Sequence, residues 1–114
     1  MLSKNNRLKK KDDFDRAFKR GRKFKEDFLL LRVVKNNFKK SRFGFMVSQK
    51  VSKKAALRNK IKRRLRAIVK IKIPKTKEGF DIIMIASPGL EKKDFWELEE
   101  IVENIFKKAD LFFH

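Results

Sequence analysis

Hydrophobic residues recur along the chain at two spacings, one typical of helices and one typical of strands. Helical spacing marks residues 12–21, 51–72 and 94–106. Alternation, or an apolar run of strand length, marks residues 23–35, 42–48 and 80–86. With an interruption in the first of these strand segments, the order is α-β-β-β-α-β-α. The pattern therefore predicts an α+β fold with a small mixed sheet of about four strands.

The helical segments have recognisable ends and faces. Asp12 is expected to cap the first helix, which buries one face and ends at Gly21. In the last helix, Trp96 is expected to pack in the core rather than to make an external contact, with exposure as the alternative. Residues 91–114 carry a net charge of −3, because they hold four lysines and seven carboxylates.

The strands predict two rows of side chains. In residues 42–48, Phe43, Phe45 and Val47 form one row, which we place in the core beneath the helix at 51–72. The other row would line an open cleft beside the aromatic residues of the first helix. The strand at 23–35 is apolar on both faces, so both faces should be covered. The residues of the second row are Arg42, Gly44, Met46 and Ser48, with Lys50 at its end.

The segment from Val51 to Lys72 organises the chain. It contains no proline or glycine, and Ser52 stands where a helix cap is expected. On a helix its apolar residues fall within a sector of about 80°, which should face a core. These are Leu57, Ile61, Leu65 and Ile68. The remaining faces are almost entirely cationic.

This basic helix lacks acidic residues that would offset its charge. There is no Asp or Glu between Gln49 and Lys77, so like charges repel without an intrahelical partner. Arginine also grips phosphate through paired hydrogen bonds. A merely solvated face is the alternative, but the pattern favours a polyanion as partner. The whole chain has 33 basic and 14 acidic residues, a net charge of +19, so its first ninety residues carry +22. The acidic last helix should therefore lie away from the polyanion.

Several kinds of chemistry are excluded by composition. The chain has no cysteine, no tyrosine and one histidine, His114, so it offers no thiol nucleophile, catalytic triad or Cys/His metal site. Four carboxylates, Asp12, Asp13, Glu26 and Asp27, could meet magnesium through water, but capping and neutralising neighbouring lysines are simpler roles. We expect no catalytic residue and no metal site. No targeting segment or membrane span is visible, which makes the cytoplasm the expected location.

Residues Arg42 to Arg66, RFGFMVSQKVSKKAALRNKIKRRLR, resemble the signature of the bacterial ribonuclease P protein subunit. In that signature, a strand ending in Val-Ser-x-Lys leads to a helix with Arg-Asn-Arg and then Lys-Arg-x-x-Arg. The matching positions are Val47, Ser48, Lys50, Arg58, Asn59, Lys60, Lys62, Arg63 and Arg66. The resemblance extends over nearly the whole chain and implies an unusual left-handed β-α-β crossover, against the general right-handed rule.

The resemblance also implies a function. Ribonuclease P uses a catalytic RNA and Mg²⁺ to remove the 5′ leader of precursor tRNA, and its protein subunit binds the RNA and the leader and lowers the magnesium requirement. We therefore expect a basic N-terminal arm at 1–11, frayed or extended, and a single RNA-binding domain at 12–114. No firmly bound cofactor, membrane or obligate protein partner is expected.

The expected site residues form two groups. RNA-binding residues are Arg7, Lys9, Lys10, Lys11, Lys50, Lys53, Lys54, Arg58, Asn59, Lys60, Lys62, Arg63, Arg64, Arg66 and Lys70. Leader-cleft residues are Phe14, Phe18, Leu29, Leu31, Met46 and Ser48. Three positions depart from the family pattern: Lys60 replaces an arginine, Leu31 stands where a tyrosine is common, and Met46 replaces a small polar residue.

Two other functions fit parts of the sequence. Another basic RNA-binding protein, such as a ribosomal protein or an assembly factor, would share the charge but has no reason to carry the ordered signature. A nucleoid or membrane-surface protein that neutralises charge would need no aromatic cleft.

Overall fold

The computed structural model describes residues 2–113, so Met1 and His114 lie outside the described residues. Three helices and four strands follow the predicted order. They are α1 (Lys11–Arg20), β1 (Arg22–Glu26), β2 (Leu29–Lys35), β3 (Arg42–Val47), α2 (Ala55–Lys72), β4 (Phe80–Ala86) and α3 (Phe95–Lys108). Short 3₁₀ turns lie at Lys4–Asn6, Ile73–Lys75 and Leu90–Lys92.

The strands form one mixed sheet in the order β1-β2-β4-β3. The first strand segment is interrupted by a turn at Asp27, whose φ of 48° is left-handed, so β1 and β2 form a hairpin. β2 pairs antiparallel with β4, whereas β3 pairs parallel with β4. The connection through α2 therefore joins two adjacent parallel strands. The predicted mixed sheet is confirmed, and the hand of this crossover stays a prediction.

The main core lies between one face of the sheet and helices α2 and α3. Ile61, Leu65 and Ile68 of the predicted apolar stripe are buried, and Leu57 is partly buried. From β3, Phe43 is buried, and its ring stacks on Phe106 of α3 with centroids 6.3 Å apart. The row of Phe43, Phe45 and Val47 therefore faces this core, as the alternation predicts.

The prediction that Leu29 and Leu31 line the cleft is wrong. Both side chains are buried in the main core, at 0% and 1% exposure, and Leu31 is paired with the equally buried Met84 of β4. Successive residues of a strand point to opposite faces, so an error of one position moves the whole set to the other side of the sheet. The residues of β2 that face away from the main core are Leu30, Arg32 and Val34.

Helices α2 and α3 are joined by a buried ion cluster. Lys72 is only 2% exposed, and its Nζ lies 2.7 Å from carboxylate oxygens of Glu99 and of Glu103. Burial alone would lower the pKa of Lys72, but hydrogen bonds to the two carboxylates outweigh it and raise that pKa. One cation of the basic helix is thus turned inward, and part of the acidic charge of α3 neutralises it.

Trp96 is exposed, at 75%, so the expectation of a core position is wrong. Asp94 and Glu97 form a capping box that fixes where α3 begins. From that start, Leu98, Ile101 and Val102 point into the core, which leaves Trp96 on the outer surface with its indole edge against Phe95.

The starts of the other two helices differ slightly from the prediction. α2 begins at Ala55 rather than at Val51, because Val51 is buried in the core and Ser52 makes a turn in which its Oγ accepts from the Lys54 amide. Ser52 therefore does not cap the helix. In α1, Lys10 is the N-cap residue and Asp12 lies in the first turn, where its charge favours the helix dipole.

The N-terminal arm is not frayed over residues 2–10. Leu2 and Leu8 are buried, and the Leu8 amide donates to the carbonyl oxygen of Phe43 at 2.9 Å. The Asn6 side-chain amide donates to the carbonyl oxygen of Ser41 at 2.8 Å. These contacts hold the arm against the outer edge of β3, because its apolar residues have a place in the core.

Candidate nucleic-acid interface

The outer surface of α2 carries the first group of expected site residues. Asn59, Lys60, Arg63 and Lys70 are exposed, and Arg58, Lys62, Arg64 and Arg66 are half-buried. Within residues 2–113, none of these basic side chains forms an ion pair with a carboxylate. We call these eight residues the basic surface. Its charge is uncompensated within the described part of the chain.

Two arginines of the basic surface are held in place by their own chain. Arg58 donates from Nη1 to the carbonyl oxygen of Ser52 at 2.9 Å. The Arg66 guanidinium lies over the ring of Phe45, with Cζ 5.7 Å from the ring centroid. The loop before α2 adds exposed Lys50, Lys53 and Lys54. A planar guanidinium fixed in this way loses less freedom when it binds a phosphate.

The opposite face of the sheet forms a groove beside α1. Its floor is a transverse row across β2, β4 and β3, in which Leu30 pairs with Ile85 and Ile85 with Met46. Met46 is 40% exposed, and Leu30 and Ile85 are half-buried. Half-buried Phe14 and Phe18 of α1 stand beside this floor. We call these five residues the α1 groove; Ser48, exposed, lies just beyond its β3 end.

Gly44 sets how closely α1 approaches the sheet. A Cβ atom at this position would lie 2.5 Å from Cζ of Phe14, which is closer than atoms can pack. Only glycine therefore lets the Phe14 ring rest on β3. The second small core beneath α1 contains Leu8, Ala17 and Ile83.

Arg32 is a groove residue that the sequence reasoning missed. Its Nη1 donates to the carbonyl oxygen of Phe18 at 2.8 Å, and its Cζ lies 5.6 Å from the centroid of the Phe18 ring. The arginine therefore orients Phe18 and adds positive charge to the groove wall. The signal was available, because an arginine within the apolar run LLLRVV marks the face that meets solvent.

A buried carboxylate, Asp81 of β4, fixes the position of α1 and was also missed. Arg42 donates to both its oxygens, at 2.8 and 2.7 Å, and Arg16 of α1 donates to Oδ2 at 2.9 Å. Asn36 donates to Oδ1 at 2.9 Å. Burial alone would raise the pKa of Asp81, but these hydrogen bonds outweigh it and hold that pKa below its usual value. A single acid inside the buried strand FDIIMIA was the available signal.

The arm connects the two surfaces around the edge of β3. A hollow of about 200 Å³ is lined by Leu8 and Lys9 of the arm, by Phe14, by Phe45 and by Arg66. It therefore touches both a groove residue and a residue of the basic surface. Arg7 is half-buried and donates from Nε to the carbonyl oxygen of Leu2, whereas Lys9, Lys10 and Lys11 are exposed.

The two surfaces suit one class of ligand. Uncompensated cations attract a phosphate backbone, and aromatic rings beside an apolar floor provide stacking surfaces for unpaired bases. Among residues 2–113, no group of three or more acidic or histidine side chains is arranged to hold a metal ion. Nor does any helix in that range have the length and hydrophobicity to cross a membrane.

Comparison with known proteins agrees with this geometry. The family model described as Ribonuclease P matches residues 2–110. The ribonuclease P protein component of Synechocystis sp. is 37% identical over 114 residues, covering 99% of this chain and 92% of the relative. That of Syntrophomonas wolfei is 36% identical over 112 residues, covering 98% of this chain and 93% of the relative.

Solved structures give the same result. The RNase P protein of Staphylococcus aureus superposes with a TM-score of 0.88 at 30% identity, covering 95% of this chain and 98% of that one. The Thermotoga maritima protein gives a TM-score of 0.82 at 33% identity, covering 90% and 96%. This chain belongs to the bacterial ribonuclease P protein component family.

Proposed function

We propose that this chain docks on the catalytic RNA of ribonuclease P through the basic surface and binds the 5′ leader of precursor tRNA in the α1 groove. The observation that carries the proposal is the uncompensated charge of α2. Like charges one turn apart destabilise a helix, so this charge needs a polyanion to offset it. The adjoining groove supplies what a bare basic helix lacks, which is a place for unpaired bases.

Within this proposal the protein supplies charge and a channel. Cations between two RNAs reduce the number of metal ions that must be recruited to hold them together. A groove that binds the leader favours precursor over mature product, because the product has no leader to contribute binding energy. The RNA partner performs the Mg²⁺-dependent hydrolysis, and no residue of the protein is assigned to bond breaking. The complex would form in the cytoplasm without an obligate protein partner.

A reconstitution assay tests the proposal. The chain is mixed with a bacterial ribonuclease P RNA and precursor tRNA at a magnesium concentration too low for the RNA alone. We expect cleavage in the mixture and none with the protein alone. If the chain binds bulk RNA equally well and fails to stimulate a matched RNA, the proposal is wrong and a general RNA-binding protein is favoured.

Substitution of Phe18 tests the groove separately. Phe18→Ala removes a stacking surface beside the floor, and loss of one stacked base costs about 1–3 kcal/mol. We expect the holoenzyme's preference for a substrate with a leader over one without to fall about tenfold, measured as the ratio of the two affinities.

Two companion variants make this result specific. Phe18→Leu keeps the apolar volume but not the ring, so it should behave like Phe18→Ala if stacking matters. Trp96→Ala removes an exposed aromatic on the acidic helix and should leave the ratio unchanged. Equal losses on substrates with and without a leader would contradict leader binding in the groove.

A further inference from the structure

A second exposed aromatic ring lies far from the α1 groove. Phe38, in the loop between β2 and β3, is 59% exposed. It borders a hollow of about 370 Å³ whose basic side chains are Lys4, Arg7, Lys39, Lys40 and Arg42. We call this hollow the Phe38 pocket. Arg42 begins β3 and Met46 lies four residues further along it, so the two sites are separated by about 13 Å of strand.

The ring of Phe38 is held on one side by an arginine. Cζ of Arg42 lies 4.5 Å from the ring centroid, the shortest cation–ring distance among residues 2–113. Arg42 is itself bound to both oxygens of buried Asp81 and to Asp13. The arginine cannot move without breaking these bonds. Its contact therefore fixes the plane of the ring while more than half of the side chain stays exposed.

The loop that carries Phe38 is also fixed. The Phe38 amide donates to Oδ1 of Asn36 at 2.9 Å, and the Asn36 side-chain amide donates to Asp81 at 2.9 Å and to the Lys40 carbonyl oxygen at 3.2 Å. The Asn36 amide donates to the carbonyl oxygen of Gly79 at 2.8 Å. The loop is thus tied to the same buried carboxylate as α1, and little conformational entropy remains to be lost on binding.

The charge around the ring is positive and largely available. Lys4 and Lys39 form no ion pair within residues 2–113, and Lys40 has only the exposed Glu78 at 3.9 Å. Arg42 is neutralised by its carboxylates and serves as support. The pocket therefore combines a preorganised aromatic face with three lysines that reach solvent.

We propose that the Phe38 pocket binds one unpaired nucleotide of RNA. The base stacks on the exposed part of the Phe38 ring, and its flanking phosphates contact Lys4, Lys39 and Lys40. The hollow falls within the usual size range of small-ligand pockets. Stacking on a fixed ring is sequence-tolerant, because every base has a π-face. The site lies outside both surfaces of the proposed function and does not depend on ribonuclease P activity.

Photocrosslinking of the full-length chain tests the site. The probe is tetrauridylate with one 5-bromouridine, and crosslinked residues are mapped by mass spectrometry. We expect a crosslink at Phe38 that Phe38→Leu abolishes, together with a loss of about tenfold in affinity for the pocket. Phe38→Trp retains the ring and should keep both crosslink and affinity. Phe113→Leu is the matched control, because Phe113 is equally exposed, at 60%, but lies outside the pocket.

Three results would overturn the site. They are the absence of a crosslink at Phe38 in the unaltered chain, equal affinities of Phe38→Leu and Phe38→Trp, and a lower unfolding midpoint for Phe38→Leu with unchanged crosslinking. The last would mean that the ring only shields the Arg42–Asp81 pair from water. The outcome is separable from the reconstitution assay, since each measurement succeeds or fails without the other.

Discussion

Replacing Lys60 and Arg63 with alanine is expected to weaken binding to ribonuclease P RNA about a hundredfold, at about tenfold for each charge-assisted phosphate contact. Both side chains are exposed on α2, they lie three residues apart on one face, and neither has an ion-pair partner in the described structure. Alanine is the strongest helix former, and removing like charges relieves repulsion, so α2 should keep its structure.

The measurement is a set of binding isotherms across potassium chloride concentrations. Each lost phosphate contact reduces the slope of log affinity against log salt by about one unit, so the double variant should be shallower by about two. The matched control is Lys92→Ala with Lys107→Ala, which removes the same charge beside and on the acidic helix α3. If the control weakens binding as much, net charge explains the effect and the basic surface is not a docking site.

The basic helix was predictable because one segment carries every signal needed. Its helical spacing, its lack of acids and its apolar stripe at Leu57, Ile61, Leu65 and Ile68 agree with one another, and local signals that agree specify structure reliably. The inward Lys72 was not predictable in the same way. Its burial depends on Glu99 and Glu103, which lie 27 and 31 residues later and meet it only after α3 has packed.

The groove was only half predictable for a related reason. Alternation in β3 contrasts polar with apolar residues, so the row containing Met46 was placed on the open face correctly. β2 is apolar on both faces, and its pattern alone does not say which leucines meet which core. Pairing with β4 decides it, and Leu29 and Leu31 join the main core while Leu30 and Arg32 face α1.

The departure at Leu31 changes meaning with this register. A buried leucine in the main core removes no stacking surface from the groove. The groove wall instead has Arg32 against Phe18, a cation where a purely aromatic wall was expected. Leader binding in this chain should therefore depend more on salt than stacking alone would require.

Asp81→Asn is expected to be the most destabilising single substitution among the site residues, lowering the free energy of unfolding by about 3–5 kcal/mol, the usual cost of removing one partner of a buried ion pair. Asp81 has no solvent exposure, and it accepts hydrogen bonds from Arg42, Arg16 and Asn36. Its loss leaves two guanidinium groups without their main carboxylate and frees both α1 and the Phe38 loop. Small domains have only about 5–15 kcal/mol in total, so a large unfolded fraction is expected.

Urea unfolding of both proteins as a function of pH distinguishes this cause from a packing defect. The pKa of Asp81 is lower in the folded state than in the unfolded state, so its contribution is complete above the unfolded value of about 4 and is lost as pH falls through the folded value. The difference between the wild type and Asp81→Asn should therefore be constant near neutral pH and shrink below about pH 4. Asp13→Asn is the control, because Asp13 is 24% exposed and 3.2 Å from Arg42, which limits its effect to about 1 kcal/mol. A difference that persists unchanged into acid would assign the loss to packing rather than to the charge of Asp81.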